Sequence, residues 1–588
     1  MTGSDEKGAV VPPSSDTADR SSRVKRLVPL LDWLPQYDRS ALVFDIIAGL
    51  TLWGLVVPEA MAYAGIAGLP PQAGLYTLLA SMLLYALLGT SRDLSLGGTS
   101  AGAALLASSV GAALVASSTA NASDPQTYQT YAAAFVLVVG LVFLAAGMAK
   151  LGFITQFLSK PVMEGFVIGL AGFVAIGQLN KLFGVSKPEG NTLEKLAGIV
   201  RQLPEANWTS FAVGAVALAL LFVLPRLSEK IPAGLIVLFG AIAASSALGL
   251  ESNYGVEVVG TLPGGLPSVA LPQVPLIDYL GMALPALGVL LVVFSESLGT
   301  ANEFAVKHGY EVAADQELTA HAFANIGSAL FGGMIAGGSM SASAVKEGAG
   351  ARTQVSNLVT WVATIVTLLF LTPLFKSLPE AVLGALIIHA VWHILASRKL
   401  VKLRQAAPVE VWFGVLAMAG VLLIDVLQGM VIGVVASLVF VIYRTSKPHV
   451  SSLGRVPGVS GVYSDLVRHP ENVPVPGILI VRPDAQLYYA NAQTFRSIVR
   501  DMIAQAASPP SAVIIDASAL DEIDYTTTEM FIEFVRQLRA KGIEVYVTDV
   551  HAPVLEGTDR AGLLEAMGGM SHIFPTVDAA VNHLQSEA

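Results

Sequence analysis

The 588-residue chain contains no cysteine, so disulfides, thiolate metal sites and cysteine nucleophiles are excluded. Charge is scarce as well: 34 basic and 44 acidic residues make up 13% of the chain, against roughly 25% in an average soluble protein. So little charge cannot cover the surface of a soluble enzyme of this size, and 54% hydrophobic residues exclude disorder over most of the chain. The net charge of −10 offers no concentration of Lys and Arg for phosphate contacts, so nucleic acid is not an expected partner. No GxxxxGK[ST] loop appears, which argues against ATP-driven pumping. Residues 1–40 form a Ser/Asp-rich tail followed by a basic stretch, Arg20–Arg26, with no short apolar core ahead of a cleavage site. No secretory signal peptide is expected, and the first span directs insertion.

What the chain has instead is long apolar runs, such as Ala132–Ala146 and Leu284–Phe294. Stretches of about 20 residues with few charges read as membrane-spanning helices. Between 41 and 444 only 39 of 404 residues are charged. About fourteen apolar segments are predicted there: 41–64, 70–89, 97–118, 131–150, 154–181, 207–225, 232–250, 279–302, 315–334, 339–350, 353–375, 379–396, 409–424 and 427–444. Two of them, 97–118 and 339–350, are poor spans, small, hydroxyl-rich and opened by paired glycines.

Orientation follows from the Lys and Arg bias. None occurs between Arg92 and Lys150 or between Lys230 and Lys307, which places loops 119–130 and 251–278 outside. The cluster Arg398, Lys399, Lys402 and Arg404 then falls inside, and both termini are expected to be cytoplasmic on a plasma or inner membrane. One loop breaks the pattern. Segment 181–206 carries Lys181, Lys187, Lys195 and Arg201 although its place in the count puts it outside; with three Glu, it reads as an amphipathic interfacial helix.

The two weak segments resemble each other: Gly97-Gly98-Thr99-Ser100-Ala101 and Gly337-Gly338-Ser339-Met340-Ser341, 240 positions apart. A carboxylate sits in an apolar span before each, Glu59 and Glu296, 237 positions apart. Two halves of seven spans make the repeat inverted, and short Gly-interrupted segments at matching places in two halves point to a midplane site. A half-helix beginning inside the membrane aims free N–H groups and its positive dipole end at that site, which suits an anion. Thr99, Ser100, Ser339 and Ser341 add hydroxyl donors. The competing reading is close helix packing through small residues; the matched pair favours the site. A mid-span carboxylate costs about 2.5–3.5 kcal/mol on insertion scales, so Glu59 and Glu296 are expected to serve coupling rather than structure. A desolvated carboxyl can carry a proton along with an anion. Asp45, Glu164, Asp315, His321, His389 and Asp425 lie nearer span ends and are read as snorkelling or capping.

Residues 445–588 hold 27 charges and alternate short strands (477–482, 512–516, 543–548) with helices (492–506, 527–540, 554–568). This pattern predicts a cytoplasmic α/β domain, with 445–470 as linker and 471–588 as the domain proper.

These motifs resemble the sulfate permease (SulP) anion transporters. The resemblance lies in Gly49-Leu50-Thr51 with Pro58 through Pro71, in Leu88-Gly89-Thr90-Ser91-Arg92 through Ala101, in Glu296, in Asp315-Gln316-Glu317-Leu318 and Asn325, and in Gly338-Ser339 with Ala349 through Gln354. Ile514-Ile515-Asp516 through Phe574-Pro575 resembles that family's STAS domain. The resemblance implies a polytopic α-helical membrane protein with fourteen transmembrane segments as a 7+7 inverted repeat, divided into core and gate subdomains. It also implies a homodimer and elevator-like alternating access. Carried over by position, the site comprises Glu59 and Tyr63, Gly98, Thr99, Ser100 and Ala101, Glu296, and Ser341 and Ala342. Three residues depart from the family pattern: it usually has Pro at the place of Gly98, often Gln at Glu59, and in many members Arg at Ala342. Losing a fixed cation and gaining a carboxylate predicts that one glutamate is neutralised during transport by a proton or by sodium, the latter near Glu296. That favours symport over exchange. No enzymatic activity, metal or organic cofactor is expected.

In STAS domains a serine after a loop aspartate can be phosphorylated. The matching run here is Asp524-Tyr525-Thr526-Thr527, with Tyr525 at that serine position. Thr526 is a candidate for modification, weighed against an ordinary Thr N-cap. The domain reads as a folding, dimerisation or regulatory module that could take a cytoplasmic protein partner. The leading expectation is a transporter of a small inorganic or carboxylate anion, sulfate first, with bicarbonate or a dicarboxylate next. A membrane-tethered signalling protein and an anion channel are the other classes. An inverted repeat disfavours the former, and coupling carboxylates are superfluous in the latter.

Overall fold

The computed structural model describes residues 28–117, 124–153, 159–188, 190–227, 233–396, 399–506, 508–560 and 562–587. The basic stretch Arg20–Arg26, part of loop 119–130 and Arg398 lie outside these residues. The chain divides into two units, Met1–Ser437 and Leu438–Ala588.

The first unit is helical. Its first half contains α1 (Leu42–Ile66), α2 (Pro71–Leu88), strand β1 (Leu96–Gly98) leading into α3 (Ser100–Ala116), α4 (Pro125–Met148), α5 (Lys160–Phe183), the short α6 (Thr192–Gln202), α7 (Trp208–Leu227) and α8 (Ala233–Leu248). The second half repeats the scheme with α9 (Leu276–His308), α10 (Ala314–Leu330), strand β2 (Ala336–Gly338) leading into α11 (Met340–Gly348), α12 (Val355–Val366), α13 (Glu380–Leu395), α14 (Lys399–Ala406), α15 (Val411–Leu423) and α16 (Val426–Thr445). Among the described residues eight helical segments are long and apolar enough to cross a membrane, and α3, α8, α13 and α15 are shorter apolar helices. With α10 and α11 these account for the fourteen segments, and α6 and α14 are extra. α6 begins with a capping box of Asn191 and Glu194, so the charged loop 181–206 does form a helix. Local signals set the ends: Asp124 caps α4 ahead of Pro125, and Gly184 (φ 61°) and Gly309 (φ 69°) close α5 and α9 in the left-handed conformation.

Two packing groups emerge. α10 packs on α4 and α2, and α12 on α1; separately, α15 and α13 pack on α5, and α13 also on α7. The second group approaches backbone to backbone: a Cβ on Gly165 would lie 1.9 Å from the Gly414 carbonyl oxygen, and one on Gly420 2.6 Å from Gly429 Cα.

The second unit carries a six-stranded sheet in the order β4-β3-β5-β6-β7-β8. Its strands are β3 (Val450–Arg455), β4 (Tyr463–Asp465), β5 (Ile478–Pro483), β6 (Ala512–Asp516), β7 (Glu544–Thr548) and β8 (Ile573–Phe574). β5 to β8 run parallel, and β3 is antiparallel to β5. Helices α17 (Ala492–Gln505), α18 (Tyr525–Arg539), α19 (Ala552–Arg560), α20 (Leu563–Met567) and α21 (Val577–Glu587) connect and cover it. The segment 445–470, expected as a linker, contributes β3 and β4. The serines and glycine of β3 hide the alternation, because Val450 and Leu453 are its only apolar side chains and they join different core clusters.

Candidate functional site

The site is organised by two three-residue strands, β1 and β2. β1 and β2 pair antiparallel, with Leu96 opposite Gly338, Gly97 opposite Gly337 and Gly98 opposite Ala336. Each strand runs directly into a half-helix. Thr99 caps α3 by accepting from Gly102 N at 3.0 Å, and Ser339 caps α11 by accepting from Ala342 N at 3.2 Å. An antiparallel ladder of this length spans about 7 Å, so the N-termini of two oppositely directed half-helices converge there. Their free N–H groups and positive dipole ends make a setting for negative charge without any charged side chain.

α1 packs against β1, α3 and α11, and so brings its own site residues to the same place. Tyr63, 8% exposed, lies within electrostatic reach of both Glu59 and Glu296. Glu59 and Glu296 are half-buried, and neither carboxylate has a hydrogen-bond or ion-pair partner among the described residues. Thr99 and Ala101 are buried at the start of α3; Gly98 and Ser100 are half-buried. Ser339 Oγ also meets Ser341 Oγ at 3.1 Å, Ser341 is exposed, and Ala342 is buried. The ten sequence-predicted residues therefore gather at one crossing, with two unpaired carboxylates beside two helix N-termini.

The glycines divide by role. A Cβ on Gly337 would sit 2.6 Å from Val293 Cγ1, and one on Gly338 3.0 Å from Ser297 Cα, so these two let β2 lie against α9. Packing, the competing reading, holds for this pair. At Gly98 an added Cβ meets only the flexible Met334 side chain, at 3.3 Å.

A polar scaffold behind the strands was not assigned from sequence. Ser297 Oγ accepts from Gly338 N at 2.7 Å and donates to Val293 O at 2.6 Å. Asn325 grips Ala336 through both its N–H (2.9 Å) and its carbonyl (3.0 Å). Ser81 donates to Leu96 O, Thr77 accepts from Met334 N, and Ser343 accepts from Ser95 N. Farther along, buried Glu317 accepts from Tyr85 Oη, Thr90 N and Thr90 Oγ1, and Gln354 donates to Ser91 O and Leu94 O. Fully buried Lys346 at the end of α11 donates to Arg92 O at 3.1 Å. Asp45, read from sequence as a span-end cap, instead joins distant segments, accepting from Arg352 N, Thr353 N and Thr353 Oγ1 as well as Tyr37 Oη. The available signal was the presence of polar residues inside family motifs: Glu317, Asn325 and Gln354 all lie in the runs quoted above.

In the second unit Asp524 caps α18, accepting from Thr527 N at 2.9 Å. This corrects the expectation of a Thr526 cap: the helix starts two residues earlier than predicted. Thr526 is exposed in the first turn, and exposed Tyr525 donates to Glu529.

A crossing of two half-helices inside an inverted repeat defines a polytopic membrane transport protein rather than an enzyme. The sulfate permease family description matches residues 42–419, and the STAS domain description matches 469–580. The chain belongs to the sulfate permease family. A probable sulfate transporter of Mycobacterium tuberculosis is 33% identical over 546 residues, covering 93% of this chain and 96% of that protein. Probable sulfate transporter 3.4 of Arabidopsis thaliana is 29% identical, covering 96% and 88%. In fold, the chain is similar to the murine Slc26a9 anion transporter in the inward-facing state, with a TM-score of 0.88 and 23% identity, covering 99% of this chain and 97% of that one. The transmembrane domain of the cyanobacterial bicarbonate transporter BicA aligns at a TM-score of 0.59 and 22% identity, covering 68% of this chain and 98% of that one.

Proposed function

We propose that this protein is a secondary active transporter that carries a small anion, sulfate first, together with a proton or sodium ion. The anion sits at the N-termini of α3 and α11, held by backbone N–H groups and the hydroxyls of Thr99, Ser100, Ser339 and Ser341. The observation that carries the reading is the pair Glu59 and Glu296. Two carboxylates without a counter-cation beside an anion site repel the anion unless a bound cation neutralises them, and that requirement is coupling. The first packing group would then move as a body against the second, in elevator fashion, within a homodimer in the plasma or inner membrane with both termini cytoplasmic. The names of the relatives favour sulfate. The STAS domain would act as the regulatory part, with Asp524, Tyr525 and Thr526 at the candidate regulatory position and a cytoplasmic protein as partner.

Uptake of labelled sulfate into proteoliposomes, under separate proton and sodium gradients, tests this directly. Accumulation driven by one of the two gradients is expected. Uptake of bicarbonate or succinate in place of sulfate would keep the coupling and change the cargo. Flux of chloride alone, independent of both gradients, would overturn the symport reading.

A further inference from the structure

The loop that breaks the charge bias builds a cavity. The last turn of α5, residues 184–188 and α6 enclose about 110 Å³ together with Gly65 and Ile66 at the end of α1 and Ala107 of α3. These ends of the first and fifth spans lie on the face that the Lys and Arg bias places outside. The cavity touches α1 and α3, two of the helices that contribute to the central site, and, across the seam, α5 of the other packing group.

Three ammonium groups converge on it. Lys181 sits over Gly65, where a Cβ would be 3.1 Å from its Nζ, and pairs with Glu380 at 3.3 Å. Lys195 holds its Nζ 5.0 Å from the Phe173 ring centroid. Lys187 and Lys195 have no ion-pair partner among the described residues, and Glu194 is committed to the Asn191 backbone N–H. Gln178 is 4% exposed and lines the same cavity; its Oε1, an acceptor, has no hydrogen-bond partner among the described residues, so toward an anion this side chain contributes through its amide N–H. Desolvation first, then the positive charges of Lys195 and Lys181, holds the Lys187 ammonium below the ordinary lysine value, although much of that residue faces solvent. Among the described residues, three ammonium groups against the carboxylates of Glu380 and Glu194 leave an excess of positive charge around a small void, and a dielectric lower than water strengthens its pull on an anion.

We propose that Lys181, Lys187, Lys195 and Gln178 form a second, outer binding site for a small oxyanion, which loads anions at the seam before they reach the half-helix crossing. Its residues are separate from the central site, and only its role in loading rests on the transport reading.

The test uses the full-length chain. Labelled sulfate and labelled bicarbonate are each bound to the purified protein at equilibrium, for the wild type, for Lys187→Gln with Lys195→Gln, and for Lys187→Arg with Lys195→Arg. Loss of one bound anion per chain in the Gln pair and its retention in the Arg pair is expected. Lys187→Gln alone, at an exposed position, weakens the same site at least threefold and serves if the double variant does not fold. Binding of both anions unchanged by the Gln substitutions overturns the proposal, whether or not the protein transports. Lysine-dependent binding in a protein that moves no anion leaves the outer site standing and removes the transport reading. In sided phosphatidylcholine liposomes, the Gln pair raises the half-saturating sulfate concentration on the loop face at least fivefold and leaves the opposite face unchanged. An equal rise on both faces, or an effect that appears only when phosphatidylglycerol is added, overturns it in favour of a structural or lipid-headgroup role.

Discussion

Gly97 and Gly337 are cross-strand partners at the centre of the β1–β2 ladder, and they are the same residue of the repeat seen twice, 240 positions apart. A pairing in which each half contributes its own copy places a local two-fold axis through the ladder. That axis aims one half-helix N-terminus from each side at a shared volume. The symmetry of the sequence thus becomes the symmetry of the half-helix crossing, and the side chains break it: Ser341 stands where the first repeat has Ala101, and Ser100 where the second has Met340.

The packing around that ladder separates the glycines experimentally. Gly338→Ala drives a Cβ to 3.0 Å from Ser297 Cα and 2.8 Å from Leu94 Cδ1, where backbone has to move. It also disturbs the 2.7 Å bond from Gly338 N to Ser297. A cost of about 1–3 kcal/mol is expected, with loss of uptake. Gly98→Ala should be within about 0.5 kcal/mol of wild type, since the Met334 side chain can give way. Thermal unfolding in detergent and sulfate uptake on the same samples check both; equal behaviour of the two variants would show that the ladder is looser than its contacts imply.

Glu59→Gln removes one of the two unpaired carboxylates while keeping its shape. Uptake by this variant is expected to lose its dependence on the driving gradient and to retain gradient-free exchange. Glu296→Gln should do the same if the second carboxylate carries the ion. Coupling unchanged in both variants would clear the pair of that role. Parallel counterflow measurements separate lost coupling from lost binding.

Asp45 carries a different kind of load. Its buried carboxylate holds the 352–353 turn against the start of α1 through three hydrogen bonds and takes a fourth from Tyr37. Asp45→Ala removes the acceptor of the part-buried Arg352 and Thr353 N–H groups, so a loss of about 1–3 kcal/mol in total is expected. Asp45→Asn keeps an acceptor and should recover part of it. A midpoint of thermal unfolding in Asp45→Ala within a degree of wild type would contradict the role.

These contacts also mark what the sequence made legible. The fourteen segments, the repeat and the site residues are local signals: apolar length, paired glycines, a hydroxyl before a helix. Asp45 with Thr353, Glu317 with Thr90, and Gln354 with Leu94 are pairings of remote residues that no local pattern announces. Asp45 looked like a span-end polar group because, in sequence, that is all it is, and Glu317 and Gln354 stood out only as members of family motifs. β3 escaped for a related reason: two apolar residues in Val450–Arg455 are too few to show a period of two, and only pairing with β5 makes the segment a strand.

That pairing supplies a pH dependence for the second unit. Asp484, just past β5, accepts from Ser451 Oγ and from His449 Nδ1 at the head of β3, and from Arg482 Nε at 2.9 Å. Desolvation alone would raise its pKa, but the three hydrogen bonds and the Arg482 charge outweigh it and hold the carboxyl below its ordinary value. The sign follows: a folded-state pKa below the unfolded one stabilises the fold above the unfolded value of about 3.8, and that stability is lost as pH falls through the lower folded value. Amide protection of Val450–Arg455 and Ile478–Pro483 in the full-length chain, corrected for intrinsic exchange rates, should therefore decline from about pH 5 toward pH 3. Asp484→Asn should lower protection at neutral pH and flatten the decline, since an amide accepts hydrogen bonds but carries no charge to lose. An equally steep decline in the variant would assign the acid sensitivity of β3 to other carboxylates and leave Asp484 a neutral bystander at the strand end.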